Sequence, residues 1–180
     1  VAGGTRLDRW TLAGHGEPTL HPEFPAVVEG LRRVRAEVAP ATPIGILSNS
    51  TTAHVPAIRH ALGRLDERGM KLDAATQDGL RQVNAASIPV EQIVDALAAL
   101  PDIVVQAMFV REPRGRVDNT TPAAVAAWTA AVARIHPREV QIYTLARLPA
   151  WERLQAVPRQ RLEEIAAGVQ ALGIPAAVFN

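Results

Sequence analysis

The segment LAGHGEPTLHPEF, residues 12–24, gathers two glycines, two glutamates, two histidines and two prolines into thirteen positions between an apolar run and an amphipathic one. Gly14 and Gly16 permit backbone torsions or close approaches that a side chain would block, so a ligand can meet main-chain amides and carbonyls directly. Glu17 adds a carboxylate to that rim. A carboxylate beside exposed carbonyls suits an ammonium group, whose three protons need acceptors. The plainer alternative is a tight turn with Glu17 solvated. His15 and His21 with Glu17 offer atoms that suit zinc, but their spacing is not that of HExxH and no metal site is read from them. His21, ahead of Pro22, suits the start of the following helix instead.

The elements that must position these residues show in the hydrophobic rhythm. After the strand-like WTLAG come Phe24, Val27, Val28, Leu31, Val34 and Val38, spaced as one face of a helix that stops before Pro40. Short apolar runs then alternate with segments of helical period. PIGILSNS (43–50) precedes a helix at 55–62, and GMKLDA (69–74) precedes helical pieces at 77–84 and 90–100. DIVVQAMFV (102–110) precedes 123–135, EVQIYTL (139–145) precedes 162–172, and AAVF follows. Parallel strands need long crossovers and helices supply them, so this alternation predicts parallel βα units. An open doubly wound sheet and all or part of a βα barrel both satisfy it. A strand covered on both faces should be apolar throughout. Here polar residues recur at strand period: Lys71 with Asp73, Gln106 two before Met108, Gln141 with Tyr143. The expected fold class is therefore α/β, a parallel βα partial barrel whose interior holds a polar ligand, in one domain over residues 1–180. Active sites of such folds lie at the C-terminal ends of the strands, where LAGHGEPTLHPEF falls.

Composition narrows the function classes. At 180 residues, 48% hydrophobic and 21% charged, the chain can bury one sizeable core. A formal net charge of +1 predicts neither a nucleic-acid footprint nor a membrane-surface preference, and Arg32, Arg33 and Arg35 read as a solvated helix face. Cysteine is absent, so this chain can form no disulfide or thiolate metal site. No apolar run is long enough for a membrane span or a signal-peptide core, and a cytoplasmic protein with no membrane partner is expected. The opening VAGGTRLD lacks a methionine and reads like the tail of a helix leading into a strand, as in a piece of a longer protein.

GHGEPTLHP resembles the second-strand motif of the radical S-adenosylmethionine (SAM) superfamily, whose Gly-Gly-Glu-type turn binds the methionyl amino group. In order along the chain, ILSNS (46–50) resembles that family's third-strand motif and MKLDA (70–74) its fourth strand. VDNTTP (117–122) resembles an asparagine-containing segment after the fifth, and VQIYTLAR (140–147) resembles the sixth. The resemblance covers nearly the whole chain and is similar to the branch of iron-sulfur oxidoreductases related to tRNA wybutosine-synthesis enzymes. It implies the second to sixth units of a six-unit barrel.

It also implies that Gly14, Gly16 and Glu17 hold the SAM ammonium, with Ser48, Asn49 and Asp73 as candidates for its ribose hydroxyls or carboxylate. Ser48 and Asn49 could equally cap a helix or close a turn. Lys71 could neutralise a ligand carboxylate or pair with Asp73. Gln106, Gln141 and Tyr143 would line the substrate side or the adenine; Arg147 would meet an anionic substrate or be solvated. The family holds a [4Fe-4S] cluster on CxxxCxxC after its first strand. With no cysteine here, the implied cluster ligands lie in a missing N-terminal segment. The implied activity of the intact protein is reductive cleavage of SAM to a 5′-deoxyadenosyl radical. That radical acts on an unidentified small-molecule or RNA substrate, and the electron comes from a donor such as flavodoxin or ferredoxin. Two alternatives stand beside it: a Schiff-base lyase or aldolase using Lys71, its pKa lowered by desolvation, and a non-catalytic SAM-binding domain.

Overall fold

Alternating strands and helices assemble, in the computed structural model, into one parallel sheet covered by helices on a single face; the structure describes residues 7–147 and 151–179. In chain order the elements are β1 (Trp10–Leu12), a short 3-10 turn (Pro18–Leu20), α1 (Phe24–Val38), β2 (Ile44–Ser48), α2 (Pro56–Gly63), β3 (Glu67–Lys71), α3 (Gln77–Asn84) and α4 (Val90–Ala98). There follow β4 (Val104–Met108), β5 (Val110–Arg111), α5 (Pro122–Ile135), β6 (Glu139–Tyr143), β7 (Gln155–Ala156), α6 (Arg159–Gln170) and β8 (Ala176–Val178). The sheet order is β1-β2-β3-β4-β6-β8, parallel at every pairing. β5 and β7 form a separate antiparallel ribbon.

Register decides which side chains share a face, because residues abreast in a parallel sheet point the same way. Ile44, Ile46, Met70, Val105, Ala107, Val140 and Ile142 lie on one face, each no more than 1% exposed. They form one core with Phe24, Val28, Leu62, Leu97, Trp128, Val132, Ile165 and Val169 from the helices. The other face sets Thr11, Gly45 and Glu67 abreast, then Lys71, Gln106 and Gln141, then Met108 and Tyr143. No helix covers it. A doubly wound sheet would bury both faces, so the architecture is the partial barrel, and the strand-period polar residues line its concave side.

Local chemistry accounts for the helix limits. α5 starts where the Thr121 hydroxyl accepts the Ala124 N–H at 3.2 Å with Pro122 as its first residue, and it stops at His136 in the left-handed region. α3 starts likewise on Thr76, whose hydroxyl accepts the Gly79 N–H at 3.1 Å. Some boundaries differ from the expected ones. The third strand begins at Glu67 rather than Gly69: Glu67 pairs with Arg9 across the concave face, and Arg68 donates to the carbonyls of Pro101 and Leu65 at the back of the sheet. Burial lowers the Arg68 pKa, partly offset by Asp102. The strand also ends at Lys71, leaving Asp73 beyond it. The β5–β7 ribbon is too short for any alternation to show in the sequence.

The VDNTTP loop holds the sheet's C-terminal edge together through Asn119. Its side-chain amide donates to the carbonyls of Asp73 and Met108, both at 2.8 Å, and its Oδ1 accepts the Val110 N–H at 2.8 Å. Trp128 acts beside it, its indole N–H on the Leu72 carbonyl at 2.8 Å and its ring edge-on to Phe109 at 5.1 Å. Asn119→Ala orphans three main-chain groups at a site 4% exposed. Urea unfolding should show a loss of about 2–4 kcal/mol, and a loss below about 1 kcal/mol would mean that water replaces the amide.

Candidate functional site

The C-terminal ends of β1, β2 and β3 bring the glycine-rich turn, Ser48, Asn49 and Lys71 to one end of the concave face. Gly14 and Gly16 follow β1 on the surface, and neither has positive φ. A Cβ built at either meets nothing within 4 Å, so neither backbone torsion nor neighbouring protein atoms require glycine there. What the two glycines leave is exposed main chain with room around it.

Glu17 is neither solvated nor free. Its Oε1 accepts the Thr19 N–H at 3.1 Å, the Thr19 hydroxyl at 2.6 Å and the Ser48 hydroxyl at 2.9 Å, while Oε2 accepts the Asn49 N–H at 2.6 Å. The carboxylate thereby caps the 3-10 turn and fastens it to the end of β2, assisted by a hydrogen bond between the Thr19 and Thr52 hydroxyls. Oε2, with a single donor, keeps acceptor capacity. Ser48 and Asn49 are drawn into the same turn: the Ser50 N–H donates to Ser48 Oγ at 3.1 Å, and Asn49 Oδ1 accepts the Thr51 N–H at 3.0 Å and its hydroxyl at 2.7 Å. Ser50 then sits at φ 69, buried, its hydroxyl without a partner.

Lys71 closes β3 from the concave side. Its ammonium lies 3.1 Å from Asp73 Oδ2 and 6.0 Å from the centre of the Tyr143 ring. The Asp73 side chain is fully buried; Oδ1 accepts the Met108 N–H at 2.8 Å and Oδ2 the Asn84 amide at 2.6 Å. Its oxygens are therefore committed to protein donors, and Lys71 is the charge displayed to the groove. Burial alone would lower the Lys71 pKa, but attraction to Asp73 and then Tyr143 outweighs it and the pKa is raised. The adjacent carboxylate thus favours the ammonium form of Lys71, against the direction that desolvation alone would give. Burial also raises the Tyr143 pKa, Lys71 opposing it.

Further down the face, the Gln106 amide donates to Gln141 Oε1 at 2.9 Å and the Gln141 amide to Glu139 Oε1 at 2.7 Å. With Thr11 and Glu67 these line a polar cavity of about 220 Å³. Sequence reasoning misses Glu67 and Glu139, although strand period could have found them: Glu67 lies four positions before Lys71, and Glu139 two before Gln141. Asn84 and Thr19 give no signal, since their roles depend on contacts across the fold. Arg147 is exposed just past β6. His15 is exposed, and His21 Nδ1 accepts the Glu23 N–H at 3.1 Å; among the described residues no three His, Asp or Glu side chains gather as a metal would require.

Lys71 is the chain's only lysine, so amine acylation reports on it alone apart from the N-terminus. Asp73→Asn removes the charge that holds its pKa up, and acylation at pH 8 followed by mass mapping should accelerate about tenfold per pKa unit lost; an unchanged rate would refute the balance described above. Ser50→Gly relieves a left-handed residue and removes an unpartnered hydroxyl, and should stabilise the fold by about 1 kcal/mol in thermal or urea unfolding. Destabilisation would show that the hydroxyl is satisfied after all.

No protein-family model matches the chain. The UPF0026 protein slr1464 of Synechocystis sp. is 30% identical over 93 residues, 51% of this chain, and the matched stretch is 33% of that protein's length. A domain of pyruvate-formate lyase-activating enzyme from Bacteroides vulgatus superposes with a TM-score of 0.70 at 14% identity, over 94% of this chain and 98% of that one. A radical SAM methyltransferase from Sphaerobacter thermophilus gives 0.73 at 16% identity, over 98% of this chain and 52% of that one. Streptococcus suis SuiB bound to S-adenosylmethionine gives 0.66 at 9% identity, over 94% of this chain and 39% of that one. At such identities the likeness is one of fold, and the parallel βα partial barrel of this chain is the fold found in radical SAM enzymes.

Proposed function

We propose that this chain is the SAM-binding portion of a radical SAM protein and that it holds the methionyl end of SAM at the C-terminal ends of β1–β3. One observation carries the reading: exposed main chain at Gly14–Gly16, a Glu17 oxygen with spare acceptor capacity and the Lys71 ammonium all stand at the C-terminal ends of the neighbouring strands β1–β3. An amino-acid zwitterion is complementary to that set. Its ammonium would meet Glu17 Oε2 and the glycine carbonyls, and its carboxylate would meet Lys71. Asn49 and Lys71 line one small cavity, and Glu17 is bonded to the Asn49 N–H, so the acidic and basic ends of the set adjoin. Ser48 and Asn49 shape the turn from which they would reach the nucleoside, and Asp73 acts by holding Lys71 charged. Gln106, Gln141 and Tyr143, with Arg147 at the rim, are proposed to face the substrate.

A [4Fe-4S] cluster does not fit the residues of this chain, because such clusters are ligated by thiolates and the chain has no cysteine. The chemistry proposed for a protein containing this domain is SAM cleavage to a 5′-deoxyadenosyl radical, with cluster ligands and an electron donor such as flavodoxin or ferredoxin supplied from outside these residues. What these residues would contribute is ligand orientation in a groove screened by the sheet. No helix of the described residues is long and apolar enough to cross a membrane, and a cytoplasmic location belongs to the same proposal.

Calorimetric titration of the chain with S-adenosylhomocysteine and with 5′-methylthioadenosine separates the two ends of the ligand, because the second lacks the amino-acid group. Lys71→Met should weaken the first by about tenfold or more, as for a lost charge-assisted contact, and leave the second unchanged. Equal effects on both, or binding of neither by the native chain, would sink the assignment.

A further inference from the structure

The polar cavity of about 220 Å³ on the concave face lies at the starts of the strands, the end opposite the Gly14–Glu17 turn, and the methionyl end of SAM makes no use of it. Arg9 comes just before β1, Glu67 opens β3 and Glu139 opens β6; all three line it, with Thr11, Gln106 and Gln141. Two glycines keep its floor bare. Gly45 stands abreast of Glu67, and Gly69 abreast of Leu47 and Val104. A Cβ on Gly69 would lie 2.8 Å from Leu47 Cδ2 and 3.4 Å from Gln106 Cδ, so the close approach of these two side chains requires glycine there.

The charges around this cavity are unevenly spent. Arg9 pairs with Glu67 at 2.5 Å and Arg138 with Asp102 at 3.6 Å, while Arg68 turns its N–H groups to the carbonyls of Pro101 and Leu65 behind the sheet. Glu139 sits in no ion pair among the described residues; its Oε1 accepts the Gln141 amide at 2.7 Å. A carboxylate has no proton to give, so the amide that faces it must present N–H. Gln141 therefore turns Oε1 towards Gln106, accepting its amide at 2.9 Å. The Gln106 oxygen is then left over as an acceptor. Among the described residues, Glu139 Oε2, Gln106 Oε1 and Glu67 Oε1 are all unbonded, beside one uncompensated negative charge. No third carboxylate or histidine gathers with Glu67 and Glu139 there, so the set suits N–H donors better than a metal ion.

We propose that this cavity binds a small primary ammonium group, with Glu139 as its counter-charge and the Gln106 carbonyl as its neutral acceptor. The volume equals that of about seven liquid waters, which limits the bound group to a short chain. The proposal rests on the substrate-facing role given above to Gln106 and Gln141 and names the class of group they meet. Its test uses no SAM, so the two readings fail separately. Nitrogen-15 NMR titration of the 180-residue chain with n-butylamine, at pH 7 and about 50 mM salt, should move the side-chain amide signals of Gln106 and Gln141 and saturate in the millimolar range. Butan-1-ol and butyrate, neutral and anionic chains of the same length, should leave those signals in place. Glu139→Gln removes both the charge and the fixed polarity of the amide row, and should weaken butylamine at least about fivefold. Glu37→Gln, exposed on α1, should change it less than about twofold. Gly45→Ala adds a methyl that meets Arg9 Cδ and Glu67 Cβ at an ordinary 3.4 Å, so it narrows the floor without disturbing the fold and should weaken butylamine severalfold. Circular dichroism of each variant confirms that it folds. No shift with butylamine, equal shifts with butan-1-ol or butyrate, or full affinity in either cavity variant that folds would overturn the proposal.

Discussion

A carboxylate taken out of water stays charged only where donors surround it, and Asp73 meets that condition with groups from three elements. Lys71 ends β3, Met108 ends β4 and Asn84 ends α3; all three donate to one fully buried side chain. Asn119 adds its amide to the Asp73 carbonyl and ties in the loop before α5. The C-terminal edge of the sheet, where this fold keeps its chemistry, is thus set by the solvation needs of one acid. The same arrangement bears on Lys71, whose ammonium form is favoured by the carboxylate 3.1 Å away.

Glu17 has a comparable role at the end of β1. Four donors hold its carboxylate, so the glycine-rich turn is fastened to β2 before any ligand arrives. Preorganisation of this kind lowers the ordering cost of binding. One Glu17 oxygen is fully engaged in the turn, and the other, with a single donor, has acceptor capacity to spare.

The bare concave face sets the terms for everything above it. One face of the sheet is sealed by helices at near-zero exposure, while the other carries Glu67, Lys71, Gln106, Gln141 and Tyr143 in register. Glu139 orients Gln141, which orients Gln106, so the amide row has a fixed direction. A hydrogen-bonded row is specific in what it accepts, because a ligand that fails to pair leaves polar groups unsatisfied.

The sequence by itself determined the order of βα units, the helix faces and the concave row. Each of these depends on period, two along a strand and 3.6 along a helix, and period is local. Phe24, Val28, Trp128 and Val132 declared their burial that way, as Lys71, Gln106, Gln141 and Tyr143 declared theirs. Only the tertiary structure decided what the charged groups do. Asp73 stands near Lys71 in sequence, yet its burial and its bonds to Asn84 and Met108 depend on contacts between elements, and it is this fixed carboxylate that raises the lysine pKa against the effect of burial. The same holds for Asn119, whose partners lie 46, 11 and 9 residues away. A net charge is a sum over the chain, whereas a field depends on where the pairs form, and pairing across elements is written only in three dimensions.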